Sequence, residues 1–210
     1  MPRVHDLLLV RSRSITPSDP EQPAWPASAL GPDPWVVVRR GKPPEGTIAV
    51  GVRGSMRHER WAGYVSPADV LIRKGPEQLR LRLGLSSRSF LPAFQALAFL
   101  EDRLNGIDLE WGPGGSAGFE LASGKPAVKE QSDLDLIFFA RERFDRTRAL
   151  DLWKLVSASP GKVDALVETP YSGFSLEEYA AGHSEKFLLR TREGRLLGHD
   201  PWTAPTGRNA

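Results

Sequence analysis

Residues 132 to 140 read SDLDLIFFA, two aspartates at the mouth of an otherwise apolar run. On a β-strand successive side chains point to opposite faces, so Asp133 and Asp135 would share a face about 6.5 to 7 Å apart. Like charges that close beside a core repel, unless a cation sits between them or one is protonated. Strand-end acids can also do no more than keep a sheet edge from pairing with another chain. The neighbours favour chemistry. Upstream, Gly114-Gly115-Ser116 is a tight turn whose N–H groups and hydroxyl can face phosphate oxygens, beside a helix start that favours anions. Downstream, VDALVET at 163 to 169 carries Asp164 and Glu168, two acids of one parity, and either can supply a third carboxylate. Hard oxygen ligands suit Mg²⁺, which completes its shell with water and substrate phosphates, and two such ions can clamp an in-line displacement.

A phosphate-rich substrate needs cations. Arg53, Arg57 and Arg60 are the nearest candidates, with Lys186 and Arg190 further along. If GSMRHERWA is a helix capped at Ser55, Arg57 and Arg60 lie one turn apart near its N-terminus, where cations are disfavoured unless an anion is present. A solvated basic face is the plainer account of the same arginines. His5, His58, His183 and His199 show no metal-ligand spacing such as HExxH and read as structural or exposed. No serine lies in a GxSxG nucleophile elbow, which sets acyl hydrolysis aside. The tryptophans are scattered among apolar neighbours, a pattern of core packing rather than a base-stacking platform.

The elements that must hold these groups follow from periodicity. Residues 4 to 12 read as a first strand, and the next stretch, ITPSDPEQPAWPASALGPDP, carries six prolines and must be extended or turning. WVVVRR at 35 to 40 and TIAVGVR at 47 to 53 form a hairpin across GKPPEG. The segment 66 to 84 alternates apolar and basic residues and fixes no element. Ala93, Leu97, Leu100 and Leu104 fall at helical spacing behind Pro92, closed by Asn105-Gly106. A short strand then leads through the glycine-rich turn into a helical stretch ended by Gly124. Strand 133–140, a helix over 147–158 stopped by Pro160-Gly161, strand 163–169, a capping box at Ser175 and Glu178, and a closing hairpin over 187–198 complete the chain. The fold class is therefore α+β: a smaller β-rich domain over 1–86, then a mixed sheet with helices over 87–210, the boundary placed at the serine-rich SSRS.

With 210 residues the chain can bury one large core or two small ones. The absence of cysteine excludes a disulfide framework, a thiolate metal site and a thiol nucleophile. MPRVHDLLLV lacks the long apolar core and cleavage site of a secretory signal, and no apolar run is long enough to span a membrane, so the expectation is cytoplasmic, with no membrane partner. A formal charge of +2 favours anionic partners only weakly, and nothing points to nucleic acid.

The order Gly-Ser, Asp-x-Asp on a strand, then an acid on a later strand resembles the nucleotidyltransferase superfamily that includes DNA polymerase β. Sixteen residues separate Ser116 from Asp133, a little longer than that superfamily's usual spacing, so a longer turn must lie between them. WGPGGSAGFELASGKP with SDLDLI and VDALVETPYSGFSLEEYA, together with HDLLLV, AVGVRGSMRHERWA, FLLRT and HDPW, are similar to the malonate decarboxylase holo-acyl-carrier-protein synthases, the phosphoribosyl-dephospho-CoA transferases. The resemblance covers most of the chain. It implies transfer of the prosthetic group from 2'-(5''-triphosphoribosyl)-3'-dephospho-CoA to a serine of the acyl-carrier-protein subunit of malonate decarboxylase, with loss of pyrophosphate. It implies Asp133 and Asp135 as the catalytic, metal-holding pair, Gly115 and Ser116 as the triphosphate cradle, Mg²⁺ as cofactor, and Asp164 or Glu168 as third ligand. Transfer of a nucleotide from ATP or another triphosphate, or a non-catalytic module binding an anion or RNA, are the other readings of the same residues.

Overall fold

The computed structural model describes residues 1–19, 21, 30–54, 59–85, 87–183 and 185–204. The first sheet contains β1 (Leu7–Val10), β2 (Thr16–Pro17), β3 (Trp35–Val38), β4 (Ile48–Arg53), β5 (Arg60–Val65) and β6 (Val70–Lys74), in the order β2-β5-β4-β3-β1-β6. Every pairing in it is antiparallel, and β3 with β4 form the expected hairpin, Val37 opposite Gly51. Side-chain alternation sorts its two faces. One face gathers Leu8, Val10, Val36, Val50, Val52 and Trp61 into a core of its own. The other sends Leu7 and Trp35 into the larger core beneath the second sheet.

The helix expected after Gly54 does not include Arg60. That residue opens β5, because RWAGYV alternates and buries Trp61, Gly63 and Val65 on one side, a period of two rather than 3.6. Ser55, Arg57 and His58 lie outside the described residues. The unassigned segment 66 to 84 resolves into β6 and α1 (Pro76–Arg80), each followed or preceded by a short 3₁₀ turn. Pro76 opens α1 in a first turn that needs no N–H from it.

α2 (Pro92–Arg103) follows, with Ala93, Leu97, Leu100 and Leu104 all buried as their spacing requires. Next come β7 (Glu110–Pro113) and α3 (Gly115–Ser123), the latter ended by left-handed Gly124. Gly112 in β7 has a packing reason: a Cβ there would stand 1.9 Å from the Pro76 carbonyl oxygen, so only glycine lets α1 lie against β7. β8 (Leu134–Phe139), α4 (Arg146–Ser157), β9 (Val163–Glu168), β10 (Gly173–Ser175), α5 (Leu176–Ala181), β11 (Phe187–Arg190) and β12 (Arg195–Gly198) complete the chain. The second sheet runs β12-β11-β10-β9-β8-β7 and is mixed: β8 and β9 are parallel, joined through α4, while its other pairs are antiparallel.

The capping box at α5 is half formed. Ser175 accepts from the Glu178 N–H, but the Glu178 carboxylate turns forward to accept from the Leu188 N–H, tying α5 to β11. Among the described residues no helix is long and apolar enough to cross a membrane.

Candidate active site

The parallel pair β8/β9 sets the register of the acids. Asp135 stands opposite Asp164, and Phe139 stands opposite Glu168. Like charges directly opposite one another on one sheet face are unfavourable. Burial first, then the Asp164 charge, push the Asp135 carboxyl above the usual carboxylate range, against a smaller downward pull from Arg53 and His5. Asp133 lies just before β8 rather than within it, and its carboxylate receives the Lys162 ammonium at 2.6 Å.

The start of α3 is fastened to this pair. The Gly114 N–H donates to the Asp135 carbonyl at 2.8 Å, prolonging the β7/β8 ladder to the helix. Gly115 adopts φ +52°, and a Cβ there would fall 1.7 Å from Asp135 Oδ2, so the carboxylate rests on the bare α-carbon. No side chain caps α3, and the first N–H groups of any helix lack intrahelical acceptors. Ser116, buried, follows at the second position.

Asp133, Asp135, Asp164, Gly115 and Ser116 line one cleft of about 790 Å³, together with Arg53 and Arg60. Arg53 and Arg60 face each other across β4/β5 as cross-strand neighbours of the first sheet, whereas the pair expected one helical turn apart was Arg57 with Arg60. Two like charges in that position favour an anion between them. Arg57 lies outside the described residues.

Glu168 does not join the cleft. It sits at the far end of β9, about 13 Å along the strand from Asp164. There it is 6% exposed, hydrogen-bonded to His5 Nε2 at 2.7 Å and ion-paired with Arg40. Burial alone would raise its carboxyl, but the His5 and Arg40 hydrogen bonds and charges outweigh that and hold it below the usual range. Parity made Asp164 and Glu168 look equivalent; their partners make them different. His5, expected to be structural or exposed, is held by Glu168 at φ +75° and borders the cavity beside Asp135.

Three contributors were invisible in the sequence pattern. Glu120, one helical turn beyond Ser116, accepts from the Ala127 and Val128 N–H groups at 2.7 and 2.8 Å and from Arg88 at 2.9 Å. Arg88 also donates to the Val128 carbonyl, so the two side chains pin the chain segment that walls the cleft before Asp133. Lys162 is the third. A buried acid four residues after Ser116 was the available signal for Glu120; Arg88 and Lys162 carried none.

The donor set suits a hard cation. Among the described residues no three Asp, Glu or His side chains already converge into a closed metal cage. Mg²⁺ commonly binds through one or two carboxylates with water and substrate phosphates making up the rest, and the open Asp135/Asp164 pair has that form.

Family models match both halves of the chain: the N-terminal domain of phosphoribosyl-dephospho-CoA transferase MdcG over residues 3–76, and its C-terminal domain over residues 80–201. Proteins named phosphoribosyl-dephospho-CoA transferase are similar to it along nearly their whole length. That of Pseudomonas aeruginosa strain PAO1 is 40% identical over 96% of this chain and 94% of its own. That of Pseudomonas putida strain GB-1 is 37% identical over 97% and 96%, and that of Azotobacter vinelandii strain DJ 36% identical over 96% and 95%. No solved structure matches the chain.

Proposed function

We infer the function from one premise, that the chain belongs to the phosphoribosyl-dephospho-CoA transferase MdcG family: it is a transferase that moves the phosphoribosyl-dephospho-CoA group onto a carrier protein. The donor is the 5''-triphosphate of that group, and the acceptor is a serine of the acyl-carrier-protein subunit of malonate decarboxylase. The observation that carries this reading is the register of Asp135 against Asp164 beside the uncapped start of α3, in a cleft rimmed by Arg53 and Arg60.

The chain's own groups divide the work. The N–H groups at the start of α3, with the Ser116 hydroxyl, hold the triphosphate oxygens, where an anion is favoured by the helix dipole. Arg53 and Arg60 neutralise its outer phosphates. The acceptor serine Oγ attacks the α-phosphorus, a new P–O bond forms, the bond to the bridging oxygen of the leaving group breaks, and pyrophosphate departs. Asp135, whose Oδ2 rests against the bare α-carbon of Gly115 inside the cleft, takes the serine proton. Asp133, Asp135 and Asp164 are the groups that would hold Mg²⁺. When bound, the cation supplies charge neutralisation on the reacting phosphate and on the departing pyrophosphate. Glu168 has no part in this set, being already satisfied by His5 and Arg40.

The test is Mg²⁺-dependent mass gain on purified apo carrier protein. An adduct of phosphoribosyl-dephospho-CoA mass, with equimolar pyrophosphate, is the expected result. An adduct of AMP mass from ATP would replace the reading with plain nucleotide transfer, and no adduct with either donor would leave only a binding module.

A further inference from the structure

Three cavities are lined by residues of both sheets. The catalytic cleft shares Arg53, Arg60, Asp135 and Asp164 with a second cavity of about 480 Å³. That cavity shares Arg39 with a third of about 590 Å³, whereas the first and third have no lining residue in common. The second cavity therefore borders both of the others. Its walls are apolar for much of their extent, with Leu7, Val37, Ile137 and Leu166, yet Arg39 and Arg190 reach it from the two different sheets. Arg39 follows β3 of the first sheet, and Arg190 ends β11 of the second.

Cations at one junction, an apolar middle, then a cation at the next junction match a ligand with two anionic groups separated by an uncharged ring system. Resting on the transferase reading above, we propose that the second cavity binds the dephospho-CoA half of the donor, with Arg39 and Arg190 gripping its diphosphate. The adenosine and ribose lie against Leu7, Val37, Ile137 and Leu166. The pantetheine arm continues past Arg39 into the third cavity, where Val4, Pro43, Ile48 and Pro170 offer apolar contact. Guanidinium groups suit this task because their planar fork binds phosphate oxygens in pairs.

Isothermal titration of the full-length protein with dephospho-CoA alone, and separately with inorganic tripolyphosphate, tests the division. Arg39→Ala and Arg190→Ala should each weaken dephospho-CoA binding at least about tenfold, the size of one lost charged hydrogen bond, with tripolyphosphate affinity changed less than about twofold. Arg39→Lys and Arg190→Lys, which keep the charge, should fall between, and a wild-type melting temperature establishes that each variant is folded. Dephospho-CoA affinity unchanged in the Ala variants overturns the proposal, as does an equal loss of both ligands. Failure of wild-type protein to bind dephospho-CoA overturns it as well, while intact transfer to the carrier protein in the same preparation would leave the transferase reading standing. Absence of transfer with normal dephospho-CoA binding would do the reverse.

Discussion

Strand β9 carries acids near both of its ends, and the two are treated in opposite ways. Glu168 is sealed in and neutralised: His5 and Arg40 from the N-terminal region close on it, and its carboxyl is held below the usual range. Asp164, four residues earlier, is exposed and faces another carboxylate across the parallel ladder, where Asp135 is pushed above that range. One end uses charge to join two sheets. The other keeps two carboxylates side by side with only partial relief from Arg53 and His5, and unfavourable local electrostatics of this kind is expected where a protein sacrifices stability for function.

The contrast can be broken at several points. Asp135→Ala should cost most, lowering carrier-protein modification about a thousandfold, the scale of removing a preorganised electrostatic group at a reacting centre. Its melting temperature should be unchanged or raised by about 2 to 4 °C, since a repulsion is removed. A clear loss of stability would mean that Asp135 is a structural acid like Glu168. Gly115→Ala places a methyl on Asp135 and a side chain in the left-handed region, so transfer should fall about a hundredfold and stability by about 1 kcal/mol. Turnover at the wild-type rate would remove the phosphate cradle from the mechanism.

Glu168→Gln should leave chemistry intact in whatever fraction is folded but lower unfolding free energy by about 2 kcal/mol, measured by urea titration, because the partly buried Arg40 and His5 side chains lose a charged hydrogen-bond acceptor. The pH dependence follows from the same pair. The folded Glu168 carboxyl lies below its ordinary value of 4.5, so the stability it contributes is present above that value and is lost as pH falls through the lower, folded one. Acid unfolding of the Glu168→Gln variant should therefore be shallower than that of wild type below about pH 4.5. Lys162→Ala should do least: the ammonium is largely exposed, its pair with Asp133 contributes no more than about 0.5 kcal/mol, and a Mg²⁺ titration of transfer should shift only slightly.

Local pattern carried the elements well. The spacing of Ala93, Leu97, Leu100 and Leu104, the glycine stop at Gly124 and the hairpin through Gly41 are written in neighbouring residues, and each was found where the spacing put it. The failure at Arg60 is also local in origin. The basic residues after Gly54 drew attention to charge, while the alternation of Trp61, Gly63 and Val65 decided the strand. The half-formed box at Glu178 shows a different limit, since its carboxylate accepts from the Leu188 N–H on another strand instead of reaching back to the cap.

The candidate site was legible in part for the same reason. Gly115, Ser116, Asp133 and Asp135 lie within one stretch of chain, so composition and order alone bring them together with the expectation of phosphate chemistry. The choice between Asp164 and Glu168 lay elsewhere. Strand parity gives both the same face, and only the pairing of β8 with β9, plus the arrival of His5 and Arg40 from more than a hundred residues away, separates them. Likewise Arg39, Arg53 and Arg190 acquire meaning only when the first sheet is laid against the second. Neighbouring residues fix turns, periods and charges because those interactions act within a few bonds, whereas a side chain's ionic partners are set by packing between distant segments, which no single stretch of chain contains.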